Sequence, residues 1–427
     1  MTTTKNNEHK KLNFSSEREQ SQVCLNSAEH EKNQGRKVLN VPNLRFPEFQ
    51  GEWEEKRLSE IADLFKGNGI SKEQLTDTGE PCILYGELYT KYKSEVISDI
   101  FSKTDIDTRK LVKSKANDVI IPCSGETAVD IATARCVPYD NILLGGDLNI
   151  IRLYDCDGSF MSYQLNGKRK YDIAKVAQGV SVVHLYGDHL KGVKTYNPCL
   201  EEQKKIAKLL SLLDERITTQ NKIIDKLQSL IKGICNQLLY ANNGISVRLG
   251  DILIERSERT KENNQHEVLS STVKGIFTQR EYFSKDIASE NNVGYKVVRL
   301  HDVVLSPQNL WMGNINYNNK FDIGIVSPSY KVFSIAVGYD KEYIAALLKT
   351  HRALYNYMLV SEQGASIVRR NLNMEEFEQL TFKLPPIERQ ERIGHTISKL
   401  KLRLAFAYNQ KTMYEKQKQY LLRQMFI

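Results

Sequence analysis

Two short blocks carry side chains suited to contacting a polyanion. The first is Gln178-Gly179-Val180-Ser181-Val182-Val183, which continues through His184-Leu185. The second is Gln363-Gly364-Ala365-Ser366-Ile367-Val368, which continues through Arg369-Arg370-Asn371-Leu372. A glycine lets backbone approach a surface closely, and Ser, His, Arg and Asn donate to phosphates or base edges. The two blocks share a frame and differ where polar tips project, as two recognition heads with different targets should. The frame also suits a plain tight turn between a helix and a strand, and the two readings are compatible. Further loop candidates are Lys66, Asn68, Ser71, Lys72 and Ser124 in the first half, and Arg256, Arg259, Lys261, Gln308, Asn309 and Trp311 in the second. Singly, each reads as a solvated side chain. As a set on loops of a rigid scaffold they suit nucleic acid.

Catalytic constellations are missing from the pattern. There is no G-x-x-x-x-G-K-[ST] phosphate loop; Leu144-Gly145-Gly146-Asp147 lacks the lysine and the helix context. The eight histidines form no H-E-x-x-H and no metal spacing, and no G-x-S-x-G elbow occurs. Asn197-Pro198 opens like the Asn-Pro-Pro-Tyr motif of adenine methyltransferases, but continues Cys199-Leu200 without the aromatic that would stack on a base. A helix-start turn explains it. The expectation is a non-catalytic chain with no metal and no cofactor of its own.

The elements that must position the two blocks are themselves duplicated. After the first block come Pro198-Cys199-Leu200-Glu201-Glu202-Gln203 and a long apolar-periodic run. After the second come Pro385-Pro386-Ile387-Glu388-Arg389-Gln390 and another such run. A repeat of this length says that the protein is two copies of one unit, each a globular part followed by a long helix. In the first run the seam is Ile206, Leu210, Leu213, Ile217, Gln220, Ile224, Leu227, Ile231, Ile234 and Leu238, apolar except for Gln220. In the second it is Ile393, Ile397, Leu400, Leu404, Ala407, Lys411, Tyr414, Lys418, Leu421 and Met425. Five heptads argue for coiled coil. About 39 residues at 1.5 Å rise make a rod of roughly 58 Å. Antiparallel pairing of the two helices of one chain is the preferred solution. At Lys411 and Lys418, either the seam shifts register or the lysines snorkel past their neighbours.

Between these landmarks the pattern predicts a short amphipathic helix over 56–65, echoed near 247–253. It predicts buried strands at 81–85, 118–122 and 148–153, with Asp118-Val119 echoed by Asp302-Val303. Single helices are expected over 160–171 and 342–359. Each unit is therefore a mixed α/β domain. Residues 1–43 read as a disordered tail, 44–199 and 243–386 as the two globular domains, and 200–242 and 387–427 as the helices.

The chain has 427 residues, 41% hydrophobic and 26% charged, with a net charge of +8. This suits soluble domains and permits a polyanionic partner. Seven cysteines without a C-x-x-C pair read as reduced thiols. With no apolar signal core and no run long enough to span a membrane, a cytoplasmic location is expected.

Taken together, these features resemble the specificity subunits of type I restriction-modification systems. They are Leu44-Arg45-Phe46-Pro47-Glu48-Phe49, Trp53, Gln-Gly-x-Ser at 178 and 363, Pro-x-[Leu/Ile]-Glu-x-Gln at 198 and 385, and the long helices that follow. The resemblance runs from about residue 44 to the end. It implies two target recognition domains, each reading one half of a split, asymmetric double-stranded DNA site. It implies antiparallel helices that space the half-sites and dock two methyltransferase subunits. S-adenosylmethionine chemistry on adenine N6, and ATP and Mg for restriction, would belong to partner subunits. A rod of this length lets two heads reach major grooves about 34–36 Å apart. The competing expectation is a coiled-coil adaptor that reads no DNA sequence.

Overall fold

Aliphatic runs form the central strands of two units, the first made of the chain up to Glu215 with Glu415–Ile427, the second of Arg216–Tyr414. The computed structural model describes residues 39–179, 182–239, 244–282, 291–363 and 370–427. The expected tail lies outside these as far as residue 38. Its last residues are described, and Trp53 N–H donates to Asn40 O at 2.7 Å.

In the first unit, Asp118–Pro122 is buried along its whole length. It pairs antiparallel with Leu148–Leu153 on one side and Arg135–Val137 on the other, and Ala62–Lys66 completes the sheet beyond Leu148–Leu153. Successive side chains of a strand point to opposite faces. Val119, Ile121 and Ile151 accordingly enter one apolar cluster with Met161 and Leu165, while Ile120 and Ile150 enter another with Ile83, Leu88 and Leu144. Burial on both faces explains why the strand reads as a continuous apolar run. Cys82–Ile83 lies in a second, five-stranded sheet, within the strand Glu80–Ile83.

The helix expected over 56–65 shrinks to one turn, Leu58–Ile61, between the strands Glu54–Arg57 and Ala62–Lys66. Glu54–Arg57 pairs with Lys194–Asn197, and Ala62–Lys66 with the central sheet. Cross-strand pairing outweighs a weak local helical pattern. The helix expected over 160–171 is two, Gly158–Asn166 and Lys170–Val176, the first ending at Gly167. Its echo is likewise split into Lys341–Leu347 and His351–Leu359, where the Thr350 side chain caps the second piece.

The second unit repeats the plan. Val303–Leu305 lies between Lys331–Ile335 and Ile315–Tyr317, with Leu253–Glu255 outermost. Ile245–Arg248 pairs with Thr381–Leu384, and one helical turn, Leu249–Ile252, follows. Even a buried ion pair is duplicated. Asp118 accepts from Lys115 N–H and from the Arg152 guanidinium. Asp302 accepts from Arg299 N–H and from Arg256 Nε.

The long helices are Leu200–Leu238 and Ile387–Gln424. The glutamine of the Pro-x-x-Glu-x-Gln pattern seats each one. Gln203 Nε2 donates to Pro198 O at 2.8 Å, and its Oε1 accepts from Asp157 N–H at 2.9 Å. Gln390 Nε2 donates to Pro385 O at 2.9 Å, and its Oε1 accepts from Asp340 N–H at 3.3 Å. Asp157 and Asp340 are the caps of the helices Gly158–Asn166 and Lys341–Leu347. One buried amide thus ties the start of each long helix to its own globular part. The N-terminal segment adds a latch in the first unit. There Arg45 forms a two-pronged pair with buried Glu202, both contacts at 2.7 Å, and the hydrogen bond to Glu202 holds its guanidinium above the ordinary range.

Within the first unit Ile206, Leu210 and Leu213 are buried, as are Leu421, Met425 and Phe426. Trp53 packs edge-on against Phe160 and Phe426. Within the second unit Ile224, Ile393, Ile397 and Ala407 are buried, and Ile217, Leu227, Ile231, Leu400, Leu404 and Tyr414 are half-buried. There the Arg216 guanidinium lies 5.7 Å from the Tyr414 ring, Gln220 bonds Gln410 at 3.1 Å and Gln228 bonds Tyr408 at 2.8 Å. Partners rise along one helix as they fall along the other, so the pair is antiparallel. Gln220, the polar exception in the seam, meets another glutamine.

Lys418 neither snorkels nor displaces the seam. It is buried, and its ammonium reaches Glu95 at 2.5 Å and Asp214 at 2.6 Å. Tyr163 OH and Ser94 Oγ also donate to Asp214, at 2.7 and 2.9 Å. Burial works against the Lys418 charge, but Glu95 and Asp214 outweigh it and hold the amine above its ordinary range.

Candidate nucleic-acid interface

The glutamine that opens each Gln-Gly-x-Ser block pairs with a later strand residue, and that partner differs between units. In the first, Gln178 and His184 exchange both backbone hydrogen bonds, at 2.9 and 2.7 Å. Gly179 has φ +124°, and a Cβ there would meet Val182 O at 2.1 Å, so the turn requires glycine. In the second, Gln363 pairs with Arg370 in the ladder between Ser361–Gln363 and Arg370–Leu372. Ser181, Ser366 and Arg369 lie outside the described residues. His184 and Arg370 therefore occupy the same place in two versions of one strand pairing.

Aromatic rings back both tips. The His184 ring stacks on Tyr186 with centroids 6.1 Å apart, and the Lys66 ammonium sits 5.4 Å from the Tyr186 centroid. His184 also pairs across the strands with Ser124, whose hydroxyl faces Asp147 at 3.4 Å. Lys66 and His184, far apart in sequence, thus gather around Tyr186, with Ser124 across the strands from His184. In the second unit the Arg370 guanidinium lies 5.1 Å from the Trp311 ring, and the Arg370 backbone N–H donates to Gln308 O at 3.1 Å. Gln308, Trp311 and Arg370 come together there. Asn309 accepts from Asn314 N–H beside them, and Asn371 is exposed in the adjoining strand.

Other candidates have local commitments. Asn68 donates to Lys110 O at 2.7 Å and accepts from Val112 N–H at 3.0 Å, so its amide pins one loop to another. Arg256 is bound to Asp302, and Arg259 donates to Gly294 O at 2.9 Å. Lys261 is exposed and its N–H donates to Gln265. Ser71 and Lys72 line a cavity of about 810 Å³ that also presents Tyr85, Tyr89 and Asp147.

Tyr186, Asp147, Tyr85 and Tyr89 are site residues that the local pattern does not mark as candidates. The signal for Tyr186 was there: two residues beyond His184 in an extended segment, it falls on the same face. Burial pushes the neighbouring Cys123 thiol up to about 11, which keeps it protonated at neutral pH and poorly nucleophilic. Among the described residues no group of three or more His, Cys, Asp or Glu is placed to hold a metal ion.

The mixed α/β unit is duplicated, the long helices pair antiparallel, and the two copies of one strand pairing carry unlike residues, His184 and Arg370, at the matching place. Residues 50–229 match the family described as the type I restriction modification DNA specificity domain. A curated relative, the type I restriction enzyme MjaVIII specificity subunit of Methanocaldococcus jannaschii, is 28% identical over 197 residues. The match spans 46% of this chain and 43% of that relative, so less than half of the relative's length is covered. The crystal structure of a type I restriction-modification system S subunit from M. genitalium shares the fold, with a TM-score of 0.61 and 16% identity over 91% of this chain and 99% of that one. The resemblance read from the sequence is shown by these findings. Among the described residues, no helix is long and apolar enough to cross a membrane.

Proposed function

We propose that the chain is a non-catalytic, sequence-specific DNA-binding specificity subunit of a type I restriction-modification complex. Residues 44–199 and 243–386 form its two target recognition domains, and 200–242 and 387–427 its spacer helices. Each domain reads one half of a bipartite, asymmetric double-stranded site. The observation that carries this reading is the shared strand pairing with unlike tips: His184 beside Lys66 and Tyr186 in one unit, Arg370 beside Trp311 in the other. An Arg presents a two-pronged donor suited to guanine, whereas a His presents one or two single donors. Unlike tips favour a non-palindromic target.

The spacer helices dock two methyltransferase subunits, with restriction subunits joining the full complex in the cytoplasm. Leu402, Phe406 and Met413 support this role, being 73%, 62% and 69% exposed on the C-terminal helix. S-adenosylmethionine, ATP and Mg are handled by the partners. The test is a gel shift with duplex DNA, with and without co-expressed methyltransferase, followed by methylome sequencing of cells that carry the complex. A bipartite methylated motif is expected. Failure to bind any duplex in either case would leave the coiled-coil adaptor reading in its place.

A further inference from the structure

The first unit holds a second cationic site, outside these tips. A cavity of about 540 Å³ is lined by Lys93, Arg135, Lys168, Lys170 and Arg423, with Glu95 as the carboxylate. That volume is in the range of small-molecule sites. Glu95 also pairs with the Lys418 ammonium, so one carboxylate is shared between that amine and the five cations and offsets them only in part.

Arg135 is the unusual member. It is only 8% exposed, and its Nη atoms donate to the carbonyls of Ala134 and Tyr92 at 3.1 and 3.0 Å. Its Nε has no hydrogen-bond partner among the described residues. A buried donor on a charged group left unsatisfied is costly, and such a site calls for an acceptor. The backbone beside it is held rigidly: Asn166 accepts from Ala134 N–H at 2.7 Å and donates to Ala134 O at 2.8 Å. Among the described residues, Lys93, Lys168, Lys170 and Arg423 form no direct ion pair with a carboxylate. Lys93 donates to Tyr89 O and Arg423 Nε to Gln419 O. Burial, followed by the field of Arg135, lowers the Lys170 amine below its usual range, and a bound anion would reverse that penalty.

We propose that this cleft binds a phosphate group, with Arg135 as its buried donor and Lys168 and Lys170 as its outer cations. The phosphate comes either from a free phosphorylated small molecule or from the DNA backbone. Neither source depends on the tips reading bases, so this proposal stands or falls separately from the function above.

The test uses the full chain and inorganic pyrophosphate in isothermal titration at fixed ionic strength, with the K168A/K170A double variant alongside. These two residues are chosen because Arg135 also ties down backbone, and its loss could disturb folding. Saturable binding is expected, weakened at least about tenfold in the double variant, the scale of one lost charge-assisted hydrogen bond. A second arm measures the salt dependence of duplex binding. A log–log slope smaller by about 1 in the double variant assigns the phosphate to DNA, since each neutralised phosphate contributes close to that amount. Pyrophosphate binding with an unchanged slope assigns it to a free ligand. If pyrophosphate gives no saturable binding and the slope does not move, the proposal is overturned.

Discussion

Single residues divide into those that hold the frame and those free to face a partner. Lys418 belongs to the first group. Replacing it with Met leaves Glu95 and Asp214 buried without their cation, and loss of one member of such a pair costs about 3–5 kcal/mol. The K418M variant should therefore unfold at markedly lower denaturant. Adding Glu95→Gln and Asp214→Asn should restore much of the loss, because no unpaired charge then remains. The folded protein holds the Lys418 proton more tightly than the unfolded chain does, its amine lying above 10.5. Its contribution is consequently full at neutral pH and fades as pH rises through that region. Denaturant titrations at pH 7 and pH 11 should show the gap between wild type and K418M narrowing at the higher pH. His184, exposed beside Tyr186, belongs to the second group, and Arg370, whose guanidinium lies against Trp311 and 3.5 Å from Met358 O and Ser361 O, stands between the two. Under the proposed function, Arg370→Ala should relax the sequence read by the second domain by about 1–3 kcal/mol of discrimination, and leave the other half-site unchanged in a methylome assay. Loosening of both half-sites would count against the assignment.

At the scale of elements, the recurring device is the amide that seats each long helix. Gln203 and Gln390 each satisfy a carbonyl before the helix and the cap residue of a neighbouring helix. Gln203→Ala or Gln390→Ala should each cost about 1–3 kcal/mol, since buried backbone groups lose their partners. Hydrogen exchange should speed up first at Asp157 in one variant and at Asp340 in the other. The loops beside the first tip depend on close backbone packing. A Cβ on Gly67 would meet Gly145 O at 2.1 Å, so Gly67→Ala should force the two loops apart and lower the melting temperature. An unchanged melt would show that the loops yield freely.

For the whole molecule, the duplication sets the logic of the proposed function. Exchanging residues 66–197 for the matching stretch of a relative should change one half of the methylated motif and leave the other as it was. Inserting one heptad into one helix should alter the spacing or abolish methylation, without altering either half-site. A changed half-site after heptad insertion would refute the spacer role.

The sequence by itself determined the architecture of the repeat. Heptad periodicity marked both helices, and the aliphatic runs at 118–122 and 148–153 marked central strands, because element type is written in local spacing. It also showed where the two copies diverge, and divergence at Ser181–His184 against Ser366–Asn371 pointed to the tips. What it did not carry was the identity of partners distant along the chain. Lys418 looked like a flaw in the seam until Glu95, 323 residues away, came to meet it. Asn68 and Arg256 looked like candidate contacts, yet one pins a loop and the other neutralises a buried aspartate. The helix expected over 56–65 dissolved for the same reason, since strands from 148–153 and 194–197 claimed its residues. Local pattern fixes what an element can be, whereas packing decides which polar groups are spent inside the fold and which are left for a partner.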